Sequence, residues 1–273
     1  MNQTQGYINQ QATQWLLASG QDIESVSELA QFTHMVSQFF RGGRWVFRGE
    51  SELYEFPAAP SILRGNPTLT RDRYPDRSIT DQEIEEVERC QADLPDGSDR
   101  YLSAFLPSIH AEDVNWLPLA RHFGYRTRLI DVTLNPLVAL YFSCCNLSNQ
   151  SDAYVYAMQG GSFRPVNDRN PPQKSGNDYP PIPISYLDLY DVDIDFRGDS
   201  LDDVPYLLEP SIPQERLQAQ AGKFSFWRNL EMELPNRLQM VPVRINGNAK
   251  NNIISQLSAF GIVEEVLFPN GRA

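Results

Sequence analysis

One short stretch of the chain concentrates side chains that could do chemistry. Residues 119–143 hold one histidine, three arginines and one aspartate: His122, Arg121, Arg126, Arg128 and Asp131. An imidazole can act as a general base or orient a hydroxyl group, and a guanidinium offers a rigid fork of donors to a phosphate or carboxylate. Asp131 follows Arg128 by three residues, so the two could instead form an internal salt bridge. We interpret Asp131 as structural rather than catalytic.

The charged stretch runs directly into a helix signal. Asn135 can cap free backbone N–H groups, and Pro136 is tolerated in a first helical turn. Apolar side chains then follow at the spacing of a broad helical face: Leu137, Val138, Ala139, Leu140, Tyr141 and Phe142. A helix this apolar is expected to be buried. The charges before it should therefore be paired or used for binding, because a buried charge without a partner is costly.

Two other segments carry functional candidates. The β-prone residues 44–48 lead from Arg48 to Gly49, which predicts a strand that closes on a turn. Glycine there would let a ligand approach the backbone, although a hairpin would also favour it. Near residue 220, the amide of Gln220 could orient a ribose hydroxyl, but it cannot act as a base. The alternative for Gln220 is an ordinary position on a helix surface.

Periodicity along the chain predicts a mixture of helices and strands. Helices are predicted at residues 25–40, 80–90, 101–109, 114–122, 136–142 and 249–259, with a helix or turn at 212–220. Strands are predicted at 44–48, 153–158, 206–209, 222–227 and 238–245, with an edge strand at 182–187. We expect residues 1–13 to form a flexible arm and residues 14–273 a single domain. Residues 160–203, rich in Pro, Asp and Gly, are predicted to form one long loop.

Composition excludes some classes of function. The formal net charge of −12 disfavours non-specific binding to nucleic acid, since there is no basic surplus to release counterions. No apolar run long enough to span a membrane and no secretory signal is visible, so we expect a soluble cytoplasmic protein. The three cysteines are poor material for a disulfide framework. No His/Cys spacing indicates a metal site.

Three segments together resemble a known family. The first is Trp45–Glu50 followed by residues 60–64, the second is residues 122–142, and the third is residues 216–224. In order and spacing they are similar to the FRG domain family, named for a Phe-Arg-Gly motif. Where Val132 stands, that family usually carries tryptophan.

A further similarity is to ADP-ribosyltransferases, at Arg48, Thr133 and Gln220. It implies an α+β fold with a curved, mostly antiparallel sheet surrounded by helices, and NAD as the substrate. Arg48 would bind the pyrophosphate or the nicotinamide ribose, His122 a ribose hydroxyl, and Gln220 would orient the ribose as the glycosidic bond breaks. The remaining residues expected to bind the nucleotide are Gly49, Glu50, Arg128, Asp131 and Thr133. Gln220 stands where the transferases carry glutamate. Thr133 has an alternative role, as a cap of the following helix.

These observations lead to competing hypotheses. The first is an NAD-dependent ADP-ribosyltransferase-like enzyme that modifies a protein or a nucleic-acid base, in a toxin or phage-defence setting. The second is a non-catalytic sensor or adaptor that binds a nucleotide or another anion, which the glutamine at position 220 favours. A nuclease or phosphoesterase ranks last, because no carboxylate cluster for metal ions is visible in the sequence.

Overall fold

A computed structural model describes residues 22–39, 45–54, 58, 60–64, 77–93, 116–159, 164–167, 206–209, 215–226, 240–269 and 271. Its helices are α1 (Val26–Phe39), α2 (Arg77–Asp93), α3 (Trp116–His122), α4 (Pro136–Cys144), α5 (Glu215–Ala219), α6 (Lys250–Ala259) and α7 (Glu264–Leu267). Short 3₁₀ helices lie at Ser61–Leu63 and Gly247–Ala249. Its strands are β1 (Trp45–Glu50), β2 (Leu129–Thr133), β3 (Ala153–Gln159), β4 (Arg164–Asn167), β5 (Tyr206–Glu209), β6 (Gly222–Phe226) and β7 (Met240–Ile245).

The strands form one sheet in the order β4-β5-β6-β2-β1-β3-β7. Strands β4 and β5 are parallel, and every other neighbouring pair is antiparallel. The prediction of an α+β fold with a mostly antiparallel sheet is therefore confirmed. Strand β1 is in register with β3 at six positions, and with β2 at Phe47 opposite Thr133.

Helix α4 packs closely on β1. The Asn135 side chain accepts a hydrogen bond from the backbone N–H of Leu137, as the sequence predicts for a helix cap. A Cβ atom on Gly49 would lie 1.9 Å from the carbonyl oxygen of Ala139. Glycine at position 49 therefore lets the helix backbone approach the strand. The predicted turn at Gly49 is wrong, because β1 continues through it to Glu50.

Apolar side chains alternate between the two faces of the sheet, as the two-residue period of a strand requires. Phe47 belongs to a core with α1, α4 and α6, whereas its neighbour Val46 packs in a second cluster with Ile62 and Leu63 of a 3₁₀ helix. A third cluster joins α2 and α3 to the sheet: Val87, Cys90, Leu117, Ala120, Leu129 and Phe224. These clusters place α4 against β1 and α3 against β2 and β6.

Most predicted elements are confirmed with shifts of a few residues at their ends. One part of the long-loop prediction is wrong, since Arg164–Asn167 pairs with β5 as a parallel strand. The rest of that loop, the arm at 1–13, the helix at 101–109 and the edge strand at 182–187 lie outside the described residues. Within the described part of the chain, no helix combines the length and apolar character needed to cross a membrane.

Candidate functional site

A cavity of about 430 Å³ opens beside the junction of β1 and β2. The walls come from the loop after β1, α3 and its C-terminal turn, α4, α5 and β6. Its lining includes Arg48, Gly49, Glu50, Tyr54, Arg64, Arg121, His122, Asp131, Thr133, Arg216, Gln220 and Lys223. The volume lies in the usual range of small-molecule sites.

Positive charge dominates the cavity wall. Among the residues that the structure describes, five cationic side chains line it, Arg48, Arg64, Arg121, Arg216 and Lys223, against two carboxylates, Glu50 and Asp131. These residues carry a formal surplus of three positive charges, in a chain whose formal net charge is −12. Because walls that exclude water strengthen such a local field, the cavity should attract anions even though the whole protein is acidic.

One of the carboxylates is buried and held by several donors. Glu50 accepts hydrogen bonds from Nε of Arg48 at 3.0 Å, from Arg64 at 2.6 Å and from the backbone N–H of Ala58 at 3.2 Å. Its side chain is 2% exposed. The Arg64 guanidinium also lies over the ring of Tyr54, 4.5 Å from the centroid. Glu50 thus fixes the two arginines on this wall.

The other carboxylate faces the cavity. Asp131 is bound by Arg121, whose Nε donates to it at 3.0 Å and whose terminal nitrogen makes a second contact. The Asp131 side chain is 49% exposed. Desolvation alone would raise the pKa of this carboxyl, but the charges of Arg121, Arg48 and Arg216 lower it below its usual value. Asp131 is therefore ionised at neutral pH.

Arg48 joins the two strands at this point. Its Nη1 donates to the backbone carbonyl of Asp131 at 2.8 Å and lies 4.0 Å from the Asp131 carboxylate. Its Nε is used by Glu50. With its side chain 11% exposed, Arg48 bridges β1 and β2 and forms part of the cavity floor.

His122 ends helix α3 and lines the same cavity. Its ring packs edge-on against Phe123, with centroids 5.3 Å apart. Burial and then the nearby charge of Arg216 lower the pKa of His122 below its ordinary value, while Asp131 opposes them. The imidazole is therefore neutral at pH 7 and can both donate and accept a hydrogen bond.

Gln220 is tied to the C-terminal segment. Its side-chain amide donates to the carbonyl of Leu267 at 3.0 Å, and its own backbone carbonyl accepts from the Thr133 hydroxyl at 2.6 Å. The same hydroxyl accepts from the backbone N–H of Asn135 at 3.0 Å. Thr133 thus connects Gln220 to the start of α4, while Asn135 supplies the helix cap itself.

Arg128 does not line the cavity, which corrects the sequence-based expectation. Its backbone N–H and its Nε donate to the two oxygens of Glu83 in α2, at 2.6 and 2.5 Å. Arg126, two residues earlier, likewise reaches α2, at Glu86. The salt-bridge partner of Asp131 is accordingly Arg121 rather than Arg128. Arg128 is a structural residue that fixes α2 to the start of β2.

The structure brings the other expected site residues to one cavity: Arg48, Gly49, Glu50, His122, Asp131, Thr133 and Gln220. Their assigned roles stay predictions. Sequence reasoning did not select four cationic side chains of the wall, Arg64, Arg121, Arg216 and Lys223. Arg64, Arg216 and Lys223 lie within the three family motifs and Arg121 lies in the charged stretch 119–143, so their basic character was the available signal. Among the residues that the structure describes, no group of three or more His, Cys, Asp or Glu could hold a metal ion.

Comparison with known proteins identifies the central part of the chain. Residues 43–152 match the family model of the FRG domain. This part of the chain is similar to the FRG domain family. The matched residues include β1, α3, β2 and α4, and with them Arg48, His122 and Asp131. Arg216 and Gln220 lie beyond the matched residues. Neither the comparison with curated proteins nor that with solved structures found a match.

Proposed function

We propose that the cavity beside β1 and β2 binds a nucleotide through its phosphates. The observation that carries this proposal is the surplus of cationic side chains around a ligand-sized cavity in an acidic chain. Guanidinium groups match phosphate oxygens in geometry as well as charge. Arg121 is the arginine we assign to the phosphate, because it lies at the cavity wall and its carboxylate partner is half exposed, whereas Arg64 is held by the buried Glu50.

The neutral ring of His122 suits a ribose hydroxyl, since such a hydroxyl both donates and accepts a hydrogen bond. A ligand with phosphate near Arg121 and a ribose near His122 would use neighbouring residues of the same helix end. NAD, which joins a pyrophosphate to two riboses, is the nucleotide that we propose. In this first candidate function the domain is a binding module, acting as a sensor or adaptor.

The second candidate is an ADP-ribosyltransferase-like enzyme. It is favoured by one observation: Arg48, His122 and Gln220, from three distant segments, line the same cavity. In that reaction the bond from the ribose C1′ to nicotinamide breaks, nicotinamide leaves, and the acceptor bonds to C1′. A group must take the acceptor's proton, and Gln220 cannot do so. The two carboxylates that the described part of the wall contains are held by guanidinium groups, which favours binding over turnover.

The test is calorimetric titration of the full chain with NAD, ADP, AMP and inorganic phosphate, together with an assay for nicotinamide release from NAD. We expect NAD and ADP to bind, with an affinity that falls as salt is added, because exposed charges are screened. Release of nicotinamide would establish the second candidate. Absence of binding by all four compounds would show the nucleotide proposal to be wrong.

A matched pair of arginine variants locates the site. Arg121→Gln should weaken ADP binding about tenfold or more, since a charge-assisted contact to phosphate is lost. Arg244→Gln is the control, because Arg244 pairs with Asp22 and Asp152 and does not line the cavity. Equal affinities of the two variants would place the ligand elsewhere.

A further inference from the structure

We propose that Asp131 occupies the place of the ligand's phosphate at Arg121, so that a nucleotide binds by displacing this carboxylate. The inference rests on the proposed function and specifies how that site selects its ligand. It changes the role of Asp131 from a group that contacts the nucleotide to a group that competes with it.

The contrast between the two wall carboxylates carries the argument. Glu50 is 2% exposed, and side-chain and backbone donors from three residues hold it, so it is a fixed part of the wall. Asp131 is 49% exposed to the cavity. Two arginine side chains contact its carboxylate, Arg121 and the more distant Arg48. Asp131 can therefore leave its partner by a change of side-chain rotamer, without breaking the sheet.

Arg121 can also change partners without losing its position. Its Nη1 lies 3.4 Å from the hydroxyl of Ser61, a contact that does not involve Asp131. The Ser61 hydroxyl is in turn fixed by the backbone of Thr127. The guanidinium therefore keeps one neighbour while its other nitrogens exchange a carboxylate for a phosphate.

The competition defines the chemical class of the ligand. A ligand carboxylate would replace one singly charged group by another at Arg121 and gain little. A phosphate monoester or a pyrophosphate carries more negative charge and presents more acceptor oxygens to the same guanidinium. The ligand is therefore a phosphate ester or a pyrophosphate, and Asp131 disfavours simple carboxylates.

The test compares two charge-matched variants, Asp131→Asn and Asp152→Asn, in titrations with ADP, inorganic pyrophosphate and adenosine. Asp152 pairs with Arg244 and does not line the cavity. Asp131→Asn should bind ADP and pyrophosphate roughly fivefold to tenfold more tightly than the unmodified chain, since one repelling and competing charge is removed. Asp152→Asn should leave both affinities unchanged. Adenosine, which has no phosphate, should not gain from either variant.

A measurement on the unmodified chain covers the case in which Asp131→Asn does not fold. The NMR signal of the Arg121 Nε–H group should shift when ADP saturates the protein. The Nε–H signal of Arg128, which is buried against Glu83, is the internal reference and should stay in place.

Each outcome decides the question. The inference is supported if Asp131→Asn binds ADP more tightly than the unmodified chain does. It is also supported if Asp131→Asn binds ADP and the unmodified chain does not. If the unmodified chain binds ADP but Asp131→Asn binds it equally or more weakly, the inference is wrong and the nucleotide proposal stands. The inference is also wrong, and the nucleotide proposal stands, if ADP binds without shifting the NMR signal of the Arg121 Nε–H group. If neither the unmodified chain nor either variant binds ADP or pyrophosphate, both proposals are wrong.

Discussion

Substitution of Glu83 in α2 should show that Arg128 stabilises the fold and does not bind a ligand. In Glu83→Gln the side chain keeps its volume but loses its charge, which removes a buried counter-ion from the guanidinium of Arg128. The side chains of the pair are 0% and 5% exposed, so solvent screens the interaction little. The contact is short, at 2.5 Å between Nε and Oε2.

The size of the effect follows from this geometry. Two unit charges about 3 Å apart at an effective dielectric constant of about 20 interact by roughly 5 kcal/mol. Removing one member of a buried pair costs about 3–5 kcal/mol, because the remaining charge stays buried with less compensation. Glu86 has partners that are half exposed, Arg89 and Arg126, so Glu86→Gln should cost about 1 kcal/mol at most. Glu85 is exposed, and Glu85→Gln should change the stability by less than about 0.5 kcal/mol.

The assay is urea denaturation of the three variants, followed by tryptophan fluorescence, with the free energy of unfolding taken from each curve. The expected order of destabilisation is Glu83→Gln, then Glu86→Gln, then Glu85→Gln. A double variant, Glu83→Met with Arg128→Met, should recover much of the loss, because an apolar pair needs no counter-ion. The reasoning is refuted if Glu83→Gln is within 1 kcal/mol of Glu85→Gln, at roughly the size of the error in such extrapolations.

Two further predictions concern the cavity wall. Gly49→Ala should destabilise the chain by about 3 kcal/mol or more, because its Cβ would meet the Ala139 carbonyl. Gly124→Ala should cost about 1 kcal/mol, because Gly124 has a positive φ but open space around it. Denaturant midpoints that rank the two variants in the opposite order would contradict this prediction. Burial and the charge of Arg216 lower the pKa of His122 in the folded state. The neutral imidazole therefore stabilises the fold fully above the unfolded-state pKa of about 6.5, and this stabilisation is lost as the pH falls through the folded-state pKa. Between pH 7.5 and 5.5, His122→Gln should lose less stability than the unmodified chain, and an equal loss in both would contradict the lowered pKa.

Local features of the fold could be predicted because their causes lie within a few residues. The spacing of Val26, Leu29, Phe32 and Val36 predicts α1, and all four side chains are buried. Asn135 before Pro136 predicts the start of α4, since a cap acts on a backbone N–H two residues away. Strand β1 was located by its β-prone residues, but its end was not, because Gly49 is explained by helix α4 rather than by its own neighbours in sequence.

The cavity was partly predictable for a similar reason. Arg48, His122 and Gln220 were selected by their types and by the order of motifs, and they line one cavity. The assignment of charges to partners was not predictable. Arg128 lies three residues from Asp131, yet it pairs with Glu83, and Asp131 pairs with Arg121.

The sequence by itself determined the types of most elements, although not β2 or β4, together with the N-terminal cap of α4 and the presence of basic and polar side chains in three separated motifs. Only the tertiary structure decided which of those side chains share a cavity and which form ion pairs in the interior of the fold. The physical reason is range: periodicity and capping act over about four residues, whereas an ion pair forms with whichever carboxylate the packing brings within about 4 Å. Glu83 is 45 residues from Arg128 in sequence, and packing of α2 beside β2 brings them together.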